Sequence, residues 1–205
     1  MSKVFGIGYH RTGTTTLAHC LTHLGYHCQP YTPRLLEQIY QGDFSETFAT
    51  VNRYDAFRDW PWPLIFRELY ERYPDAKYIL TVRRDEATWM NSLSKHAAKK
   101  GPSRMRELIY GYSLPDGQEA LHIAKYQAHN EAVIDFFQQM PHKLLTICWE
   151  TGSGWPELCA FLDKPVPNVA LPHQNASLSY WGIKKRNLRR LTTRARRRLV
   201  RTFTP

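Results

Sequence analysis

The chain is 205 residues long, 42% hydrophobic and 13% aromatic, with a formal net charge of +10. That length fits one domain with or without an appendage, and the apolar share excludes wholesale disorder. Ten of the 28 Lys/Arg lie between Ile183 and Pro205, with no acidic residue among them, so 18 basic residues meet 18 acidic ones in residues 1–182. The reading is therefore a neutral body, 1–182, with a basic extension, 183–205, rather than a nucleic-acid-binding protein.

In chain order, Val4–Gly8 is a short apolar run leading to a Gly-rich turn, and Thr14–Leu24 carries Leu17, Cys20, Leu21 and Leu24 at helical spacing before Gly25. Tyr26–Gln29 reads as a short strand, Arg34–Tyr40 as a helix, and Ala56–Trp60 as a strand running into Pro61 and Pro63. Leu64–Tyr73 is helical and Lys77–Arg83 is a strand buried on both faces. Asp85–His96 is helical, while Ser94–Asp116, polar and basic with Gly and Pro, has a middle that reads as a loop or lid. Gly117–Met140 is a long helix, Leu144–Trp149 a buried strand, Trp155–Leu162 a helix, and Lys164–Pro172 irregular. Strands alternating with helices predict an α/β fold, a parallel sheet flanked by helices. Ligands on such folds bind beyond the carboxyl ends of strands, which here means just after Gly8, Trp60, Val82 and Trp149.

The first strand and helix are joined by Gly8-Tyr9-His10-Arg11-Thr12-Gly13-Thr14-Thr15, with the glycine spacing of a P-loop. Backbone N–H groups at such a helix start form an anion site, with Thr hydroxyls as further donors. Thr14 stands where a P-loop kinase needs its lysine, and the positive charge sits earlier, at Arg11. That disfavours a nucleoside triphosphate with Mg²⁺ and suits a shorter anion. Four cysteines show no CxxC or metal-finger spacing, no apolar run nears the roughly 18 residues of a membrane span, and nothing reads as a signal peptide. The expected location is cytoplasmic.

The string Tyr9-His10-Arg11-Thr12-Gly13-Thr14-Thr15 resembles the 5′-phosphosulfate loop of sulfotransferases that use PAPS (3′-phosphoadenosine 5′-phosphosulfate), with Arg11 where that family often has Lys. The resemblance implies a P-loop, sulfotransferase-like architecture, PAPS as co-substrate, PAP as product and no metal. It assigns His10, Arg11, Thr12, Gly13, Thr14 and Thr15 to the 5′ end. In that family an Arg at a strand end and a Ser eight residues later bind the 3′-phosphate. Arg84 and Ser92 have this separation, and the doubled Arg83-Arg84 leaves a one-residue shift open. Tyr54-Asp55-Ala56, Asp59-Trp60-Pro61, Tyr73 to Arg83 and Trp155 to Asn175 look like a microbial and invertebrate branch, and Asn175 carries over as a nucleotide contact. The Arg-Lys-Gly signature of the animal cytosolic enzymes is absent, so what closes over the 3′-phosphate and adenine stays open.

Sulfuryl transfer needs a group to take the acceptor's proton. Many members use a His in a His-Leu-Pro segment. The matching segment here is Asp59-Trp60-Pro61, making Asp59 the candidate base, or a partner that orients Arg58 or a phosphate-site arginine. Arg11 is the second catalytic candidate, stabilising charge on the departing phosphate. Glu150 is placed either for chemistry or to organise backbone N–H groups. The acceptor pocket is expected near Trp60, Trp62, Phe66, Tyr110, Tyr112 and Tyr126, with His122 and His129 as further lining. Aromatics there suit a flat phenolic or steroid-like small molecule, while carbohydrate or lipid acceptors stay open. In the tail, Leu188, Leu191, Ala195 and Leu199 share a helical face among arginines. That suits an acidic membrane surface or acidic partner, or equally a helix packed on the body. No specific nucleic acid is expected. The rival functions are a P-loop small-molecule kinase and a non-catalytic nucleotide- or nucleic-acid-binding protein.

Overall fold

Four short strands, β1 (Val4–Gly6), β2 (Ala56–Phe57), β3 (Lys77–Thr81) and β4 (Leu144–Ile147), pair in the order β2-β1-β3-β4 in a computed structural model that describes residues 2–172. All three pairings are parallel, with Val4 opposite Ala56 and Lys77, and Tyr78 opposite Leu144. The eight helices among the described residues are α1 (Thr14–His23), α2 (Pro33–Tyr40), α3 (Ser45–Arg53), α4 (Phe66–Arg72), α5 (Glu86–Lys100), α6 (Arg104–Tyr110), α7 (Glu119–Phe137) and α8 (Trp155–Leu162). A 3₁₀ turn, Trp62–Ile65, leads into α4. The expected α/β class and parallel sheet are observed.

Side chains alternate across the strands, so each central strand feeds two cores. Phe5, Phe57, Tyr78 and Leu80 pack with Val51 of α3, Leu69 of α4 and Val133 and Phe137 of α7. The Phe5 ring stacks at 4.8 Å on Phe57 and 5.6 Å on Tyr78. Val4, Ala56, Ile79 and Ile147 face the other way, onto Leu17, Cys20 and Leu21 of α1 and Trp155, Leu158 and Leu162 of α8. Each such fully buried large side chain contributes roughly 1.5–3 kcal/mol. All four cysteines are free, and burial pushes the Cys20 thiol up to about 12. A third cluster lies beyond the strand ends: Tyr9, Leu36 of α2, Trp60, Trp89 and Leu93 of α5, Ile109 and Tyr110 of α6, and Tyr126 of α7.

Three stretches differ from the sequence reading. The strand expected at Tyr26–Gln29 is a single bridge, Cys28 to Ala56, because Pro30 follows and cannot extend a ladder. Residues 45–53, left unassigned from sequence, form α3, whose turns are anchored by Phe48 and Val51. The middle of Ser94–Asp116 is no lid loop: α5 runs on to Lys100, Gly101 stops it, and α6 follows. Arg106 of α6 is 1% exposed, and its guanidinium donates to the Ser113 carbonyl at 2.8 Å and to that of Gly101. Among the described residues no helix is long and apolar enough to cross a membrane. The body–tail boundary at 182/183 and the tail's amphipathic pattern lie outside the described residues.

Candidate functional site

From β1 the chain crosses to β2 on one side, and from β3 to β4 on the other. The gap between the carboxyl ends of β1 and β3 is thus the switch point where a ligand crevice forms in an open α/β sheet. The loop Gly8–Gly13 sits there. A Cβ on Gly8 would collide with the Thr81 backbone and hydroxyl, so only glycine lets the loop press against β3. The Thr12 hydroxyl meets that of Thr81 at 2.6 Å, fastening the loop to the same strand end. Gly13, in the left-handed region at φ 93°, turns the chain into α1. No side chain caps α1, and its first turn holds no acidic residue. Its first N–H groups are left for an anion, with the positive helix end behind them.

Two more departures from ordinary backbone lie at the site. Arg11 and Asp59 are non-glycine residues at φ 69° and 67°. Such conformers persist only where the surroundings fix them, and they cluster at functional sites. For Arg11 the fixing groups are visible. The Trp89 indole donates to the His10 carbonyl at 3.0 Å, while the His10 ring meets the Tyr110 hydroxyl at 2.8 Å and stacks on that ring. His10 is 5% exposed, and burial, with Arg11 next, depresses its pKa to about 3.

Arg11 Nε donates to Ser92 Oγ on α5 at 3.1 Å, joining the two regions that sequence assigned to separate phosphates. Burial and then Arg83 lower the Arg11 pKa against a raising effect of Asp59. An anion bound beside Arg11 would offset both lowering effects. Arg83 also pairs with Glu150 at 3.2 Å, and the other Glu150 oxygen accepts from the Arg84 N–H at 3.2 Å. Glu150 thus organises both arginines, as one of its two expected roles had it. The Arg84 guanidinium reaches out to Asp85 at 3.1 Å and Thr88 at 3.2 Å, with its side chain 62% exposed. Asp85 caps α5 through the Thr88 N–H at 2.6 Å.

Asp59 lies just past β2. Its carboxylate accepts from the Trp60 N–H at 2.9 Å and the Thr14 hydroxyl at 3.3 Å, and Arg58 stands 3.6 Å away. Burial raises its pKa and outweighs the lowering from those three groups and Arg11. This is a carboxylate made more basic than usual, tied to the first residue of α1.

Three placements differ from expectation. The His10 ring and the Thr12 hydroxyl are spent on Tyr110 and Thr81, so these residues offer a ligand their backbone. Trp60, Trp62, Phe66, Tyr110 and Tyr126 fill cores rather than line a pocket, and Tyr112 is exposed. His129 donates its Nε2–H to the Ile7 carbonyl at 2.7 Å, and His122 stacks on Tyr110, so both long-helix histidines are core residues. Asn175 lies outside the described residues.

Sequence reasoning missed Trp149, although it named the end of that strand as ligand-facing. A Cβ on Gly13 would overlap the Trp149 indole, which therefore lies against the loop. Its Nε1–H is buried without a partner among the described residues, as are Nε–H of Arg83 and of Arg58. Orphaned donors beside an uncapped helix start fit an anionic ligand chemically.

The family described as "Sulfotransferase domain" matches residues 3–114 and 103–180. "Ava biosynthesis cluster protein M" of Aspergillus versicolor is 25% identical over 213 residues, covering 83% of this chain and 80% of that protein. The crystal structure of a sulfotransferase from Alicyclobacillus acidocaldarius superposes with a TM-score of 0.58 at 16% identity, over 86% of this chain and 87% of that one, a likeness of fold. With the family match spanning most of its length, the chain belongs to the sulfotransferase domain family.

Proposed function

We propose that the protein transfers the sulfuryl group of PAPS to a hydroxyl or amine of an acceptor, in line and in one step, without a metal ion. One observation carries this reading: the uncapped start of α1, Arg11 bonded to Ser92, and the Asp59 carboxylate bonded to Thr14 form one connected site. The α1 N–H groups, with Thr14 and Thr15, hold the 5′-phosphosulfate end. Ser92 and Arg84 hold the 3′-phosphate. The exposed ion pair of Arg84 with Asp85 is worth about 0–1 kcal/mol, so phosphate readily displaces it.

Asp59 accepts the acceptor's proton as the acceptor oxygen or nitrogen forms its bond to sulfur. The bond from sulfur to the 5′-phosphate oxygen breaks, and the electron pair leaves on PAP. Arg11 stabilises that developing charge without giving up a proton, since guanidinium stays ionised. The products are the sulfated acceptor, PAP and the proton on Asp59. Positioning and fixed charge account for the rate, as in phosphoryl transfer.

Calorimetric titration tests the reading. PAP should bind in EDTA, and Asp59→Asn should keep that affinity within about twofold while turnover falls about 10²–10⁴-fold. Normal turnover by Asp59→Asn would remove Asp59 as the base. A requirement for Mg²⁺ in nucleotide binding would favour the kinase reading.

A further inference from the structure

The two oxygens of the Asp59 carboxylate are held unequally. Oδ1 accepts from the Trp60 N–H at 2.9 Å, a bond between chain neighbours that the backbone fixes, with Asp59 at φ 67°. Oδ2 accepts from the Thr14 hydroxyl at 3.3 Å, across from another element, and the Arg58 guanidinium stands 3.6 Å from the same oxygen. Thr14 is the first residue of α1 and is 4% exposed. Its hydroxyl has one proton to donate. That proton sits at a helix start with no side-chain cap and no acidic residue in its first turn, where the free N–H groups attract an anion. An anion held there and Asp59 Oδ2 therefore compete for a single donor.

We propose that Thr14 is a positioning residue that divides its hydroxyl between Asp59 Oδ2 and an anion at the start of α1, so that binding the donor nucleotide frees Oδ2 to take the acceptor's proton. The inference deepens the sulfuryl-transfer reading and rests on it. Base and donor site are then one device, and the base is unlocked by the co-substrate it serves. The charges around Asp59 agree with this. Burial raises its pKa most, while the Trp60 N–H, Arg58, the Thr14 hydroxyl and Arg11 lower it. Of these four, Thr14 alone belongs to the helix that takes the anion. Moving its hydroxyl to the anion withdraws a hydrogen bond from the ionised carboxylate and makes Asp59 a stronger base. Tyr31, before α2, and Tyr110 of α6 also lie within reach of the Asp59 charge. Burial holds both phenols above their ordinary value, so neither changes charge near neutral pH.

The test titrates full-length protein carrying ¹³C-carboxyl aspartate by NMR in EDTA, with and without PAP, whose 5′-phosphate occupies the start of α1. The Asp59 signal is the one lost in Asp59→Asn. In the wild type, PAP should raise the Asp59 pKa. In Thr14→Val the pKa should already be raised without PAP, and PAP should move it less than in the wild type. PAP affinity in that variant should fall about tenfold or more, as for a lost hydrogen bond to a charged group. Thr14→Ala, which removes the hydroxyl without a branched side chain, should repeat the valine result. Thr14→Ser keeps a hydroxyl and should restore the wild-type titration in both states. An Asp59 pKa that PAP leaves unmoved in the wild type overturns the coupling. So does a PAP-induced shift of equal size with and without the Thr14 hydroxyl, which would be the charge of PAP acting through space. Failure of the wild type to bind PAP overturns the sulfuryl-transfer reading instead.

Discussion

Trp149 lying on the Gly8–Gly13 loop can be tested by a double-mutant cycle with Gly13. Gly13→Ala forces a Cβ into the left-handed region at φ 93°, costing about 1–2 kcal/mol for an L-residue. The same Cβ overlaps the Trp149 indole. Relieving such an overlap in packed surroundings costs about 1–3 kcal/mol more. The single variant should therefore lose roughly 2–5 kcal/mol, a large part of the 5–15 kcal/mol that holds a typical domain together. In a Trp149→Ala background the overlap is gone and only the backbone cost of about 1–2 kcal/mol remains. The coupling energy is then about 1–3 kcal/mol, read from urea unfolding followed by far-UV circular dichroism, which does not depend on the removed indole. Additivity within about 0.5 kcal/mol would refute the contact.

Other outcomes follow from the same geometry. Tyr110→Phe removes the partner of a buried His10 nitrogen and should cost about 1–3 kcal/mol in urea unfolding, with weaker PAP binding because the loop loses its anchor. His10 and His129 titrate at about 3 and about 4 when folded, against roughly 6.5 when unfolded. Between those limits the unfolded chain binds about two more protons, so stability is full above pH ~6.5 and falls by roughly 2.5 kcal/mol per unit near pH 5 as acid is added. His129→Gln, which keeps an N–H for the Ile7 carbonyl, should remove about half of that slope. Because burial raises the Asp59 pKa and a base must be ionised, kcat/KM should rise with pH through an apparent pKa above the ordinary carboxylate value of about 3.9. That limb should vanish in Asp59→Asn.

The elements with clear apolar runs were legible in the sequence: β1, β3, β4, α1 and α8 lie where hydrophobic spacing placed them, within a residue or two. So was the strand–loop–helix context of Gly8 to Thr15, because glycine spacing and a following helix are local properties. What escaped depends on distant partners. Arg106 looks like surface charge until two backbone carbonyls surround it. Nothing local distinguishes a tryptophan that fills a core, as Trp60 does, from one that lies on a loop, as Trp149 does. Arg83 and Arg84 are adjacent in sequence, yet one guanidinium pairs with Glu150 and the other with Asp85.

The central claim is most directly tested by following the label from ³⁵S-PAPS in EDTA with the wild-type protein and a pool of phenols and alcohols. The account predicts that labelled sulfate ester and PAP appear in equal amounts, and that Asp59→Asn binds PAP but forms neither. Phosphate transfer from Mg²⁺-ATP to the same pool, with no movement of the ³⁵S label, would contradict it.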